Sequence, residues 1–259
     1  MIKPALTASG LATSPAVAYC HGFLSSALSS KGRFLKNELA NRLGLHVRLL
    51  NLNGANDDPS QLSPVGALNT IDTCARTDGK LLLIGSSFGG WAAAKYAERF
   101  PQHVSRLLLL NPGFELGSRW EHIVGGAAEL DAWKRERVRT FTMPSSGAPV
   151  DVPYEFVEDT MRIGGTPTVK VPTVVIHGTR DEVVPLSLSE RFVNERCTGP
   201  SELLAVDDDH ALTDPRSLEI ISDQAVRLCE DVLQESAGGQ GRKKDEFYDY
   251  FFEGYQRPL

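Results

Sequence analysis

The sequence predicts an α/β fold: a mostly parallel sheet of about six strands flanked by helices, with a helical cap set into it. Three observations predict this. Short apolar runs alternate with longer amphipathic segments, the pattern of repeated βαβ units. The runs are continuously hydrophobic rather than alternating, as strands covered on both faces are. Finally, about sixty residues from Pro112 to Val171 separate two of the predicted core strands, too many for a structureless loop.

The elements follow in order. Strands are expected at Ala16–Cys20, Val47–Leu52, Lys80–Gly85, Arg106–Leu110, Thr173–His177 and Glu202–Val206. Helices are expected near 31–43, 64–76, 88–100, 187–196 and 216–234. In the last, Leu218, Ile221, Ala225, Leu228 and Val232 recur at steps of three and four and so share one helical face. The excursion, about 113–170, contains Trp120, Trp133, an Arg-rich stretch over Trp133–Arg139 and a turn-rich stretch over Met143–Pro153; it is expected to fold as a helical cap. One domain is expected over 1–233. A tail over 234–259 follows, with a Gly-rich linker, Arg242-Lys243-Lys244 and the aromatic–acidic run Phe247–Phe252. That tail reads equally as a packed element and as a flexible or partner-docking segment.

Composition narrows the function classes. Hydrophobic residues make up 41% of the 259 and charged residues 23%, enough to build a sizeable core. A formal charge of −6 argues against a general nucleic-acid-binding surface. No apolar run approaches the roughly 20 residues of a spanning helix, so no membrane span is expected. Cys20, Cys74, Cys197 and Cys229 lie far apart, with no metal-ligand spacing, and predict reduced thiols and no metal site. The N-terminus lacks the features of a secretory signal. A cytoplasmic location is therefore expected, with an organellar lumen left open. Composition says nothing of oligomeric state.

Gly85-Ser86-Ser87-Phe88-Gly89 fits G-x-S-x-G, the sharp strand-to-helix turn that projects a serine from the end of a sheet. A predicted strand precedes it and a predicted helix ended by Pro101 follows, as the motif demands. Ser86 cannot centre the motif, because Ile84 and Phe88 occupy the glycine positions around it. Ser87 is therefore the candidate nucleophile. A serine needs a base and a group that orients the base. Asp181 follows the strand ending at His177, and His210 follows the next strand, a gap that fits one helix and one strand. Glu182 is the competing acid. The run Asp207–Asp209 beside His210 reads either as a solvated acidic turn or as carboxylates acting on the histidine's charge. An oxyanion hole needs backbone N–H groups aimed at developing negative charge. Phe88 is expected to supply one and Phe23 the other, with Leu24 the alternative and His21 a loop-shaping side chain. Leu24, Trp91, Phe114 and Trp120 are expected to line the substrate pocket.

Taken together, these motifs resemble the α/β-hydrolase superfamily over roughly residues 16–234. His21-Gly22-Phe23-Leu24-Ser25-Ser26-Ala27-Leu28-Ser29-Ser30-Lys31 resembles the H-G-F-x-S-S-x-x-S-x-K opening of the small YqiA-like esterases, and Gly85–Gly90 resembles their G-S-S-x-G-G elbow. The resemblance implies an α/β-hydrolase fold and a cofactor-free esterase or thioesterase acting on a small-molecule ester or thioester of short to medium acyl length. The chain departs from the pattern in its longer excursion, its tail and the acidic run before His210. A ligand-binding protein that keeps the same residues without turnover is the alternative reading.

Overall fold

Hydrophobic continuity in the strands has a direct structural cause. In the structure, a computed structural model that describes residues 15–54 and 56–236, six parallel strands form one sheet. They are β1 (Ala16–Cys20), β2 (Val47–Leu50), β3 (Leu81–Ser86), β4 (Val104–Leu110), β7 (Thr173–Gly178) and β8 (Ser201–Val206), in the order β2-β1-β3-β4-β7-β8. The strands β3, β4 and β7 at the centre are buried at every position, whereas β8 at the edge is partly exposed.

Period-two alternation sorts the central side chains onto two faces. Val17, Tyr19, Leu82, Ile84, Leu108 and Leu110 join one core cluster with α1 (Ser30–Leu43) and α8 (Pro215–Ser236). Ala18, Cys20, Leu81, Leu83, Leu107 and Leu109 join the other with α2 (Pro64–Asp78) and α3 (Phe88–Arg99). The helices begin where local chemistry permits: Ser29 Oγ accepts the Gly32 N–H at the start of α1, and Ser63 Oγ accepts the Gly66 N–H at the start of α2, with Pro64 in its first turn.

Chain order reverses direction across the sheet between β1 and β3, since β2 lies outside β1 on one side and β4 outside β3 on the other. Ligand sites in open α/β sheets form at the carboxyl ends of strands at such a switch point. The loops after β1 and β3 are those carrying Gly22-Phe23 and Ser87.

The excursion is not purely helical. It contains α4 (Leu116–Val124), α5 (Ala127–Glu136) and α6 (Glu155–Ile163), but also an antiparallel hairpin of β5 (Val138–Thr142) and β6 (Pro149–Pro153). The turn-rich stretch supplies that hairpin's connection and its second strand, the connection closed by Met143 N–H to Ala148 O at 2.8 Å and Gly147 N–H to Met143 O at 2.9 Å. The fourth body helix, α7 (Leu186–Arg191), continues into a wider turn over Phe192–Arg196. Among the described residues no helix is long and apolar enough to cross a membrane. The four cysteines are free. Residues 237–259, and with them most of the tail, lie outside the described residues.

Candidate active site

Two glycines set the elbow. A Cβ on Gly85 would sit 2.5 Å from Gly89 O, and one on Gly89 would sit 2.2 Å from Cys20 O and 2.5 Å from His21 O. All three contacts are backbone, so no side chain fits at either position. Their absence lets α3 start directly against β3 and β1. Ser87 takes up the turn at φ 53°, ψ −119°, a conformation that L-residues avoid unless the surroundings enforce it. Here its N–H bonds Leu110 O at 2.9 Å, and its own carbonyl accepts the Gly113 N–H at 2.9 Å and the Trp91 N–H at 3.1 Å.

Ser87, His210 and Asp181 form one hydrogen-bonded line. His210 Nε2 is 3.0 Å from Ser87 Oγ, and His210 Nδ1 is 2.7 Å from Asp181 Oδ2. A carboxylate only accepts, so Nδ1 carries the proton and Nε2 is free to take one from the serine. Asp181 Oδ1 accepts the N–H groups of Val183 and Val184, both at 2.8 Å. Burial works to raise the Asp181 carboxyl. Hydrogen bonds from His177, His210 and Val184 outweigh it and hold the group well below the usual carboxylate range. Glu182 is exposed on the cleft edge, and Asp181 is the residue that meets His210.

The loop after β1 lies against the serine: a Cβ on Gly22 would be 3.4 Å from Ser87 Cβ. His21 shapes this loop, as expected. Its Nδ1–H bonds Gly22 O at 2.9 Å and its Nε2 accepts the Leu52 N–H at 3.1 Å. Burial lowers its pKa, which suits a ring that must keep one nitrogen as acceptor. Asn53 adds a bond to Ser25 O at 2.8 Å. The Phe88 N–H opens α3, where no preceding helical turn supplies an acceptor. Phe88 follows Ser87 in the chain, and Phe23, next to Gly22, lines the same cleft as Ser87.

A cleft of about 800 Å³ opens over these groups. Phe23 and Leu24 line it. The expectation for Trp91, Phe114 and Trp120 is corrected: they are at most 1% exposed and pack in the core, not on the cleft. Trp91 stacks on Phe88, Phe114 packs on Phe192, and Trp120 meets Phe23, Trp133 and Phe156 edge-on while its Nε1–H bonds Thr160 Oγ1 at 2.7 Å. The physical reason is area. The cap must bury its own apolar faces, and large rings spend theirs on the seam between cap and body.

The acidic run is not a solvated turn throughout. Asp207 is exposed and pairs with Arg180 at 2.7 Å. Asp208 is buried and accepts the N–H groups of Asp209 and Asp214 at 2.8 and 3.0 Å, while Asp209 accepts the Ala211 N–H at 2.7 Å. These carboxylates fold the loop that carries His210.

Two supporting residues escaped the sequence reading. Asn111, 1% exposed and at φ 42°, accepts the Gly178 N–H at 2.8 Å and donates to Asp209 O and His210 O at 3.0 and 2.9 Å. One side chain thereby ties β7, which leads to Asp181, to the loop of His210. Asn-Pro-Gly after a strand signals a turn, but no spacing rule says what the Asn touches. His177 is the other: buried between Ser189 Oγ and Val184 O, it also lies 3.4 Å from Asp181. Cap and acid loop are joined as well, since Arg119 of α4 donates to Val183 O. Among the described residues no group of His, Cys, Asp and Glu is placed to hold a metal ion.

Comparison with known proteins agrees with this architecture. A model of the family described as "Uncharacterised protein family (UPF0227)" matches residues 16–221. Solved structures with the same fold include mouse alpha/beta hydrolase domain-containing protein 10 (TM-score 0.67, 20% identity, 83% of this chain and 90% of that one). Others are a monoacylglycerol lipase of Paleococcus ferrophilus (0.64, 20%, 84% and 96%) and Est1E of Butyrivibrio proteoclasticus (0.63, 18%, 85% and 89%). The fold is that of the α/β hydrolases. A rice protein, Probable 1-acylglycerol-3-phosphate O-acyltransferase, is 47% identical over 49 residues, which is 18% of this chain and only 11% of that one.

Proposed function

The chain belongs to the family UPF0227, and from that membership and the geometry of its site we propose that it is a serine hydrolase cleaving carboxylic esters or thioesters through an acyl-enzyme on Ser87. The observation that carries this reading is the unbroken line from Ser87 Oγ through both nitrogens of His210 to a buried, ionised Asp181.

Each group has a role in that chemistry. Ser87 Oγ attacks the carbonyl carbon as its proton passes to His210 Nε2, and Asp181 stabilises the imidazolium. Negative charge on the carbonyl oxygen falls to the N–H groups of Phe23 and Phe88. Collapse of the tetrahedral intermediate expels the alcohol or thiol, which takes the proton from His210. Water then repeats the sequence on the acyl-enzyme and frees Ser87. The aromatic seam of Phe23, Trp120, Phe141 and Phe156, with ring centroids 5.0–5.9 Å apart, occupies the space beneath the cap. That packing favours the short end of the acyl range.

Hydrolysis of a p-nitrophenyl ester series from acetate to decanoate, with Ser87→Ala and a fluorophosphonate label in parallel, tests the proposal. Turnover highest on the shorter esters, with turnover and labelling both lost in Ser87→Ala, is the expected result. Folded wild-type protein that neither labels nor turns over any oxygen ester or thioester would overturn it and favour a ligand-binding role.

A further inference from the structure

The wall of the cleft built by β1, the loop after it and the first turn of α1 is unusually polar. Tyr19, Ser25, Ser29, Ser30 and Lys31 line it, and Ser86 at the end of β3 adjoins them beside Ser87. The Tyr19 hydroxyl, pushed up to about 12 by burial, bonds Ser29 and Ser86 and remains a neutral donor and acceptor. Lys31 is the one lysine on this cleft among the described residues. Its Nζ donates to Ala211 O at 2.5 Å, next to His210.

Among the described residues no carboxylate lies within ion-pair distance of Lys31 Nζ. The nearby acids already have partners: Asp208 and Asp209 hold backbone N–H groups, and Asp181 holds His210. Lys31 is half-buried, so its ammonium has lost part of its water without gaining a carboxylate in return. Of its three N–H donors one meets Ala211 O, so two remain for a ligand. Arg180, also on the cleft, is ion-paired with Asp207, so among the described lining residues Lys31 is the Lys or Arg without a carboxylate partner. The carbonyl it holds belongs to the residue after His210, the group that in the proposed mechanism protonates the departing alcohol or thiol, so the ammonium sits beside that group.

We propose that Lys31, with the hydroxyls of its wall, binds an anionic oxygen-rich group, carboxylate or phosphate, on the alcohol or thiol portion of the substrate. The inference rests on the serine-hydrolase reading and names the substrate class for that same site. Burial draws the Lys31 ammonium down to about 8, against the pull of Asp208, Asp209 and Asp181. The preference for anionic leaving groups is therefore full at neutral pH and fades above about 8.

Three butyrate esters that share an acyl group test this: 2-hydroxyethyl butyrate, butyryloxyacetate and 2-butyryloxyethyl phosphate. Either anionic ester is expected to exceed the neutral one in kcat/KM by about tenfold or more, a ratio that shrinks with added salt. Which anionic ester leads identifies the group. Lys31→Met should collapse the ratio towards one, and Lys31→Arg should retain part of it. Ser87-dependent turnover with a wild-type ratio near one would overturn the inference and leave the hydrolase standing. So would a Lys31→Met variant that slows all three esters in parallel, since Lys31 would then act only by bracing Ala211. Should no ester be turned over, titration with 2-hydroxyethyl phosphate decides: saturable binding lost in Lys31→Met supports the site, and no binding refutes it.

Discussion

Replacing Asn111 by aspartate removes two hydrogen-bond donors and puts a carboxylate oxygen where they were. The residue keeps its size, its tolerance of positive φ and the oxygen that accepts the Gly178 N–H at 2.8 Å. What goes is the amide that holds Asp209 O and His210 O at 3.0 and 2.9 Å. In its place a carboxylate oxygen faces two buried carbonyls. Each lost bond with its stranded acceptor costs about 1–2 kcal/mol, so destabilisation of roughly 2–4 kcal/mol is expected. For a body of this size that lowers Tm by about 5–15 °C. The His210 loop loses its tether to the rest of the site, and a displacement of order 1 Å at Nε2 costs about 10²-fold in rate. Asn111 does not line the cleft, so the loss should fall on kcat with KM nearly unchanged. Thermal denaturation and steady-state kinetics on a short p-nitrophenyl ester, at a temperature where both proteins are folded, read the two effects. An Asn111→Asp variant with wild-type Tm and kcat within twofold would refute the claim that this side chain positions His210.

Further outcomes follow from the same geometry. Gly89→Ala drives a Cβ into two backbone carbonyls at 2.2 and 2.5 Å, so it should fail to fold or lose more than roughly 10 °C in Tm, whereas an alanine scan of exposed α3 positions should not; a wild-type melting curve for Gly89→Ala would contradict the packing described. His21 has a lowered pKa in the folded chain because of burial, so below its unfolded value of about 6.5 the unfolded state binds more protons. Stability should then fall with pH from about 6.5 downwards, by up to ~1.4 kcal/mol per pH unit, until the folded ring itself protonates. Asp181, whose folded pKa is depressed, adds its own loss only below about pH 4. Urea midpoints between pH 7.5 and 5 should therefore slope less steeply in His21→Gln than in wild type, and identical slopes would remove His21 from the account.

Much of the site was legible in the residues because its requirements are local. A serine can occupy the elbow only if Gly85 and Gly89 lack side chains, and a strand–turn–helix reading around them needs no long-range information. Asp181 and His210 were found because consecutive parallel strands deliver their carboxyl ends to one edge, which turns chain order into spatial order. The central strands announced themselves by continuous hydrophobicity, since burial on both faces forbids alternation.

Other features depended on contacts between distant segments. The cap's hairpin was hidden because Val138–Thr142 and Pro149–Pro153 are strands only by virtue of pairing with each other. Trp91, Phe114 and Trp120 look like pocket residues in sequence, but the seam between cap and body competes for their area and wins. Asn111 carries no motif and Lys31 only closes one that does not say what it touches; each meets a backbone carbonyl some 100 and 180 residues away along the chain. The sequence by itself determined the sheet, the elbow and which serine, histidine and acid are the candidates for the site, because periodicity and turn sterics act over a few residues. Tertiary structure alone decided what surrounds them, because a hydrogen bond or an unpaired charge is a property of the neighbours that folding brings within about 3 Å.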